Sequence, residues 1–360
     1  MALRRFLVIV ILAFLISNSY SQNAAPVMSS ANISPSSPAT DQNLTAIAAA
    51  TDADGDSFTF AYNWYVNRLS TTIFNHPFMN DSESTDNQTT YDISGNSLIG
   101  QLGNATVNDA AEPTIQTGAS CKIGACYLFD GSNDYIQLND TAIMNMSATQ
   151  SFAISMWFKS VHGGNFLLSK GETGAAGGVT LDFSSTTLSF AIRGTIAAAP
   201  AAVVANSSTV PMLDNNWHQV IAVRDVTSDQ LFLYIDGVFR DASTDTTTGS
   251  LAEADPVYIG ASDTKASTWN GSLDEVRFYN RSLSADEVAA LYYGENTFSA
   301  NNITSHMETF INDKWNATVT PIDAFGLNGT PSWSNNTVTI AAISNTAPSI
   351  TNLNITPVSP

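Results

Sequence analysis

Three aspartates at alternate positions, with a glycine between the last two, form the segment of this chain with the clearest chemical character. They are Asp52, Asp54 and Asp56 in Asp-Ala-Asp-Gly-Asp. Carboxylates spaced in this way, with glycine for the sharp turn, can offer several oxygen atoms to one Ca²⁺ ion. The alternative is a solvated Asp-Gly turn without an ion, because the sequence lacks a full twelve-residue calcium loop with a terminal glutamate.

Catalytic chemistry finds little support in the residue pattern. The four histidines are scattered and no zinc-type His-Glu-x-x-His occurs, nor a Gly-x-Ser-x-Gly nucleophile turn. The closely spaced Glu-x-Asp-x-x-Glu carboxylates of glycoside hydrolases are absent from the sequence as well. We therefore expect a binding or structural protein and no enzyme.

The acidic segment must be positioned by strands on either side of it. Residues 57–66 alternate large apolar and polar side chains, with Trp64 near the centre of the run. Such a strand resembles the third strand of an immunoglobulin-like sandwich, and the later strands of that fold appear only beyond residue 300. We expect Asp323, in the loop between the last two strands, at the same end as the acidic segment and as a fourth calcium ligand.

The residues between these two halves show a second pattern. Several motifs follow in an order and spacing that resemble the laminin-G-like, concanavalin A-like jelly-roll family. The motifs are Cys121–Ile136, Ser151–Phe158, Asn216–Val220, Leu233–Gly237 and Gly271–Leu283. The resemblance implies an all-β jelly-roll sandwich, closed by a short helix that begins near Ser284. The predicted fold is thus all-β, a concanavalin A-like jelly roll inserted into a split Ig-like sandwich.

The same resemblance implies possible ligand contacts in the jelly roll. Many relatives carry calcium, which points to Asp130, Asp134, Asp274 and Glu275. The alternatives are a simple Asp-Gly turn for Asp130 and, for Asp274 and Glu275, strand capping or pairing with Arg277 or Arg281. Trp269 lies in a glycine- and serine-flanked loop and is the best candidate for stacking on a sugar, against the usual role of tryptophan as a core residue.

The compartment is predicted from the first residues. Two arginines precede an apolar run that ends at Ile16, and small polar residues follow, which is the order of a secretory signal. As a helix this run is roughly 16 Å long, against about 30 Å for a membrane span. The mature chain is therefore expected outside the cell, or on its surface, without a span of its own.

Charge and cysteine content agree with that compartment. The net charge of −19 disfavours nucleic acid as a partner and leaves many carboxylates for calcium. Solubility alone is an alternative explanation of the acidity. The only cysteines, Cys121 and Cys126, are expected to form a disulfide around a tight turn, worth about 2 kcal/mol.

N-glycosylation sequons are more frequent than random placement would give, which favours a glycoprotein, although coincidence in a sequence rich in Asn and Thr stays open. They begin at Asn32, Asn43, Asn80, Asn87, Asn104, Asn139, Asn145, Asn206, Asn270, Asn280, Asn302, Asn316, Asn328, Asn335 and Asn354.

An internal repeat sets the domain boundaries. Residues 23–38 recur with conservative changes as 345–360, so a further Ig-like repeat is expected to begin at Asn345. The expected division is 1–21 signal peptide, 22–72 first Ig-like half, 73–296 jelly roll, 297–344 second Ig-like half and 345–360 next repeat.

The function expected from these features is adhesion at a microbial cell surface, with an archaeal one favoured. The partners would be glycans or glycoproteins, bound non-covalently with possible help from Ca²⁺. Two alternatives stay open: a structural stalk or S-layer-type protein with protein–protein contacts, and a binding accessory of an enzyme encoded beyond Pro360.

Overall fold

A computed structural model describes residues 23–78, 89–90, 92–104, 110–139, 146–171, 178–194, 201–206, 210–247, 251, 256–296, 303–304, 311–323 and 327–342. The predicted signal peptide and the second copy of the repeat lie outside these residues. Within the described part, no helix has the length and apolar character that a bilayer crossing requires.

A smaller sandwich is built from both ends of the chain. Its three-stranded sheet has the order β1-β2-β21, and its five-stranded sheet has the order β23-β22-β3-β4 with β24 also paired to β22. The strands are β1 Val27–Ser34, β2 Leu44–Thr51, β3 Phe58–Val66, β4 Leu69–Ser70, β21 Ile303–Thr304, β22 Lys314–Asp323, β23 Ser332–Trp333 and β24 Val338–Thr339.

The central pairing of this sandwich joins residues about 250 positions apart in sequence. Strands β3 and β22 run antiparallel over nine residue pairs, from Trp315 opposite Val66 to Asp323 opposite Phe58. Trp64 and Trp315 are 2% and 1% exposed, and their rings meet edge to face in one core. Neither end of the chain could bury its apolar sheet face without the other.

The residues between these two ends form a larger sandwich of two sheets. The first sheet has the order β18-β17-β16-β11-β20-β9-β8, with β5 also paired to β20. Its strands are β5 Thr72–His76, β8 Thr114–Thr117, β9 Ala125–Asp130, β11 Phe152–Lys159, β16 His218–Asp225, β17 Gln230–Ile235, β18 Val238–Thr244 and β20 Asn270–Tyr279.

The second sheet of the larger sandwich has the order β15-β14-β13-β12-β19-β10-β7-β6. Its strands are β6 Thr89–Thr90, β7 Gly100–Leu102, β10 Ile136–Leu138, β12 Phe166–Lys170, β13 Gly178–Ser184, β14 Thr187–Arg193, β15 Ala201–Asn206 and β19 Val257–Ile259. The inward faces of the two sheets enclose one large apolar core. The all-β class and the jelly-roll type of sandwich therefore agree with the prediction.

Local sequence signals account for two connections on the first sheet. The Asp236-Gly237 pair joins β17 to β18, and both residues have positive φ, as a type I′ hairpin requires. Helix α1, Ala285–Asn296, begins after Ser284. The backbone N–H of Glu287 donates to the hydroxyl of Ser284, and the backbone N–H of Ser284 donates to the Glu287 carboxylate, forming a capping box.

The predicted disulfide between Cys121 and Cys126 is present. It closes the loop that leads into β9, and both cysteines are buried. At the tip of this loop, a β-carbon on Gly124 would lie 3.1 Å from Cγ2 of Ile322 in the smaller sandwich. The disulfide loop therefore packs directly against β22.

Polar side chains tie the two sandwiches together near the end of β3. The buried amide of Asn63 donates to the Ser70 hydroxyl at 3.0 Å and to the Ser94 carbonyl at 3.2 Å, and accepts from the Thr72 hydroxyl at 2.7 Å. Asn75, in β5, donates from its side chain to the Tyr62 carbonyl at 3.2 Å. A buried hydrogen-bond network of this kind holds the larger sandwich in a fixed relation to β3.

Candidate functional site

The acidic segment forms a tight loop between β2 and β3. One carboxylate oxygen of Asp52 accepts backbone N–H groups from Asp54 and Gly55, each at 3.1 Å, and from Asp56 at 3.4 Å. This turn brings one carboxylate oxygen from each of the three aspartates within 4.8 Å of the others. The loop backbone thus concentrates negative charge at one end of the smaller sandwich.

Asp323 lies at the same end of the fold, as expected from the sequence. It is fully buried, ends β22 opposite Phe58, and accepts the side-chain amide of Asn23 at 2.5 Å. Desolvation and the nearby carboxylates, that of Asp323 among them, raise the pKa of Asp56. The four carboxylates therefore interact electrostatically, although only the three in the loop come within joint ligand distance.

Two acceptor oxygen atoms at or next to this cluster have no hydrogen-bond donor among the described residues. Oδ2 of Asp52 and Oδ1 of Asn23 are buried atoms without a hydrogen-bond partner. Unpaired buried acceptors are costly, and a hard cation satisfies them through the oxygen ligands that Ca²⁺ prefers. The residues present therefore fit calcium, with Asp52, Asp54 and Asp56 as the group that would hold it.

The acidic residues expected in the jelly roll have structural partners. The Asp134 carboxylate accepts a hydrogen bond from the backbone N–H of Asp130 at 2.7 Å. The Asp130 carboxylate accepts one from the backbone N–H of Ser132, also at 2.7 Å. These bonds are those of a turn between β9 and β10. Within the described residues, the acidic loop of the smaller sandwich is the one group of three candidate ligands close enough for a metal.

Asp274 is fully buried and anchors the disulfide loop. Its carboxylate accepts the backbone N–H groups of Lys122 at 3.0 Å, Ile123 at 2.9 Å and Glu275 at 2.8 Å. Burial and the adjacent charge of Glu275 raise its pKa well above the ordinary value. The alternative of Glu275 pairing with Arg277 is the arrangement found.

The expectation that Trp269 contacts a ligand is wrong, because the side chain is 0% exposed. Its ring stacks on Phe183 and meets Phe158 edge to face within the core of the larger sandwich. The loop around it is polar, but the backbone turns the indole inward. Trp217 is instead half-buried, with the ammonium of Lys159 6.0 Å from its ring centroid.

The outward side of the second sheet is a polar surface that the sequence motifs did not point to. Along each strand, residues of the core side alternate with residues of the opposite side. Four residues of the opposite side lie next to one another across four strands, in the order Gln101, Gln137, Tyr258 and Ser169. We call this surface, together with the outward residues of β13, the polar face. Its partly exposed members are Gln101, Gln137, Thr180 and Asp182. Tyr258 is only 7% exposed, and Ser169 is fully buried, with its hydroxyl donating to the Ala261 carbonyl at 3.0 Å.

A buried aromatic cluster lies beside the hydrogen-bonding groups of the polar face. Tyr258 packs edge to face on Tyr135, and the ammonium of Lys265 lies 4.5 Å from the Tyr135 ring centroid. At the other end, burial raises the pKa of Asp182, against the hydrogen bond from the Thr180 side chain, which lowers it. The partly exposed amides, hydroxyl and carboxylate of this face can bind a polyhydroxylated ligand through hydrogen bonds.

His218, the first residue of the interior strand β16, is held between two aspartates. Its Nδ1 lies 2.8 Å from the Asp236 carboxylate, and its Nε2 lies 3.1 Å from that of Asp214. Burial lowers the pKa of His218, but the bonds and charges of the two aspartates outweigh it and raise the net value. Hydrogen bonds from the Asn216 side chain and backbone bring the pKa of Asp214 to about 2.

This arrangement should make stability depend on pH. The His218 contribution is fully present below the unfolded pKa of about 6.5 and is lost as pH rises through the raised folded pKa. We expect H218Q to cost about 0.5–1 kcal/mol at pH 6 and less at pH 9, because the site is partly exposed. Urea unfolding of both proteins at the two pH values measures this, and an equal cost at both would contradict it.

Part of the larger sandwich is similar in sequence to a known family of domains. Residues 130–289 match a laminin-G family model described as the concanavalin A-like lectin/glucanases superfamily. This part of the chain is therefore similar to domains of that type. No curated protein matches the sequence.

Several solved structures are similar to about three fifths of the chain. One is the binding domain of Paraclostridial Mosquitocidal Protein 1, at 15% identity and TM-score 0.48, covering 62% of this chain and 52% of that one. Another is the receptor binding domain of botulinum neurotoxin mosaic serotype C/D, at 13% identity and TM-score 0.47, covering 62% and 51%. The chain thus spans about half the length of these structures.

Proposed function

We propose that this chain is a secreted or cell-surface adhesion protein that binds glycans or glycoproteins non-covalently through the polar face of its larger sandwich. The observation that carries the proposal is the group of partly exposed amide, hydroxyl and carboxylate side chains of Gln101, Gln137, Thr180 and Asp182 on a lectin/glucanase-type sheet. Sugars offer hydroxyls that donate to and accept from such groups.

A glycan array probed with the full chain, in calcium and in EDTA, tests this proposal. Saturable binding to a defined set of glycans is the expected result. Because the polar face and the acidic loop belong to different sandwiches, binding should persist in EDTA. Absence of binding in both conditions would overturn the proposal and favour a structural role.

We further propose that Ca²⁺ binds the acidic loop and stabilises the smaller sandwich. At 10 mM Ca²⁺, a site with the dissociation constant of an extracellular module, about 0.1–1 mM, adds about 1.4–2.7 kcal/mol. The midpoint of thermal unfolding of that sandwich should therefore rise with calcium, as differential scanning calorimetry can record.

Two variants distinguish calcium binding at the acidic loop from a general effect of ionic strength on the unfolding midpoint. Replacing Asp54 and Asp56 together by asparagine should abolish the calcium-dependent rise. Asp41→Asn removes an exposed carboxylate from the same sandwich and should leave the rise intact. If calcium still raises the unfolding midpoint of the double variant, it acts at a different place on the protein.

A structural stalk is the second candidate function. The observation that favours it is the packed junction between the sandwiches, where Asn63 is bonded to Ser70, Thr72 and Ser94. A split smaller sandwich of the Ig-like type, rigidly joined to the larger one, would hold that domain at a fixed angle.

A further inference from the structure

A cleft of about 780 Å³ separates the two sandwiches on the side away from the polar face. The smaller sandwich contributes the turn between β3 and β4, together with Trp315 at the start of β22. The larger one contributes Phe232 and Tyr234 of β17 and the connection between β20 and α1. A cleft of this volume is large enough for a ligand of several rings.

Asn280 lies in the wall of this cleft and begins the sequon Asn280-Arg281-Ser282. Its side chain is exposed, whereas Tyr279 before it and Leu283 after it are 2% and 4% exposed. The Arg281 guanidinium donates to the Glu287 carboxylate at 2.7 Å and so fixes the turn on helix α1. The acceptor amide is therefore presented on a rigid turn.

The cleft has the chemistry of a sugar-binding surface. Phe232 and Tyr234 supply aromatic rings, and the carboxylates of Asp225 and Asp313 can accept hydroxyl groups. Leu69 lines the same space with 71% of its surface exposed, and covering it would remove apolar area from water.

We propose that Asn280 carries an N-linked glycan whose first sugars occupy this cleft and brace the two sandwiches against each other. The co-reactant is an oligosaccharide activated at its anomeric carbon by a lipid-linked phosphate or diphosphate. The bond from Asn280 Nδ2 to the anomeric carbon forms, the bond from that carbon to the phosphate oxygen breaks, and the amide proton is lost to a base. This rests on secretion, as in the proposed function, but not on glycan binding by the polar face.

The test uses the full chain secreted from insect cells, a host that glycosylates such sequons. Mass spectrometry of proteolytic peptides gives the occupancy of Asn280. Hydrogen–deuterium exchange then compares wild type with N280Q and with S282A, which removes the sequon but keeps the asparagine. Asn43→Gln is the matched control, because Asn43 is an exposed sequon residue of the smaller sandwich that does not line the cleft.

We expect Asn280 to be occupied, and backbone amides in 67–71 and 231–235 to exchange on the order of tenfold faster in both sequon variants than in wild type. N43Q should exchange like wild type in these segments. An unmodified Asn280, or equal exchange with and without its glycan, would overturn the proposal. Glycan-array binding by N280Q reports on the polar face separately, so failure of one proposal is distinguishable from failure of the other.

Discussion

Replacing Arg277 by alanine should lower the free energy of unfolding of the larger sandwich by about 3–5 kcal/mol. Arg277 is 1% exposed and lies in β20 at the centre of the first sheet. Its guanidinium pairs with the fully buried carboxylate of Glu275 and donates to the Asn75 side chain at 3.1 Å. Removing it leaves a buried negative charge without its cationic partner, which is the costly way to break such a pair.

An irregularity of the strand places these charges together. Between Asp274 and Arg277, β20 has one residue more than the facing stretch of β11, and Glu275 has a positive φ of 53°. A bulge of this kind redirects side chains from their alternating positions. The loss of Arg277 therefore also affects Asn75, whose amide links β5 to the Tyr62 carbonyl of the smaller sandwich.

Chemical denaturation of the full chain measures the effect. Arg240→Ala is the control, because this arginine lies on edge strand β18 and makes a 3.4 Å bond to the Ile235 carbonyl. It should cost less than about 1 kcal/mol. Adding Glu275→Gln to the Arg277 variant should restore part of the stability, since the unpaired charge is gone. A cost for R277A no greater than that for R240A would contradict the buried-pair argument.

The second large effect concerns ligand binding on the polar face. We expect Asp182→Asn to weaken glycan binding by at least about tenfold, because hydrogen bonds to charged groups are worth about 1.5–3 kcal/mol. Gln137→Ala should weaken it by about fivefold, because a neutral hydrogen bond is worth about 1 kcal/mol. Both positions alternate with core residues, so their side chains extend outward and their replacement leaves the apolar core intact.

Affinity for a glycan identified on the array, measured by calorimetry, tests this expectation. Asp229→Asn is the matched control: it makes the same charge change at an exposed turn joining β16 to β17 in the other sheet. Its φ of 52° is one that asparagine tolerates well. Unchanged affinity in both polar-face variants would move the binding surface elsewhere on the larger sandwich.

Asp182 also makes binding sensitive to acid. Since burial raises its pKa, the carboxylate is protonated at a higher pH than an exposed aspartate. Glycan affinity should therefore fall as pH is lowered toward that raised pKa, and D182N should lack this part of the pH dependence. The same calorimetric titrations at pH 4.5 and 7 would show it.

Several local features of this protein follow from its amino-acid sequence alone. Alternation of apolar residues predicted strand β3, and the short helix expected to begin near Ser284 is α1. The cysteine spacing predicted the disulfide, and the motifs of the middle third indicated the lectin/glucanase-type sandwich. Each of these depends on interactions within a few residues, which periodicity and turn chemistry encode directly.

Only the tertiary structure decided which side chains meet and which are buried. Trp269 has the flanking residues of an exposed loop, yet the jelly roll encloses it, and Asp274 satisfies backbone N–H groups about 150 residues away. The polar face is likewise assembled from strands distant in sequence, each of which contributes one or two outward residues. Such a surface has no contiguous motif, because register between strands is set by the packing of the opposite, apolar side of the sheet.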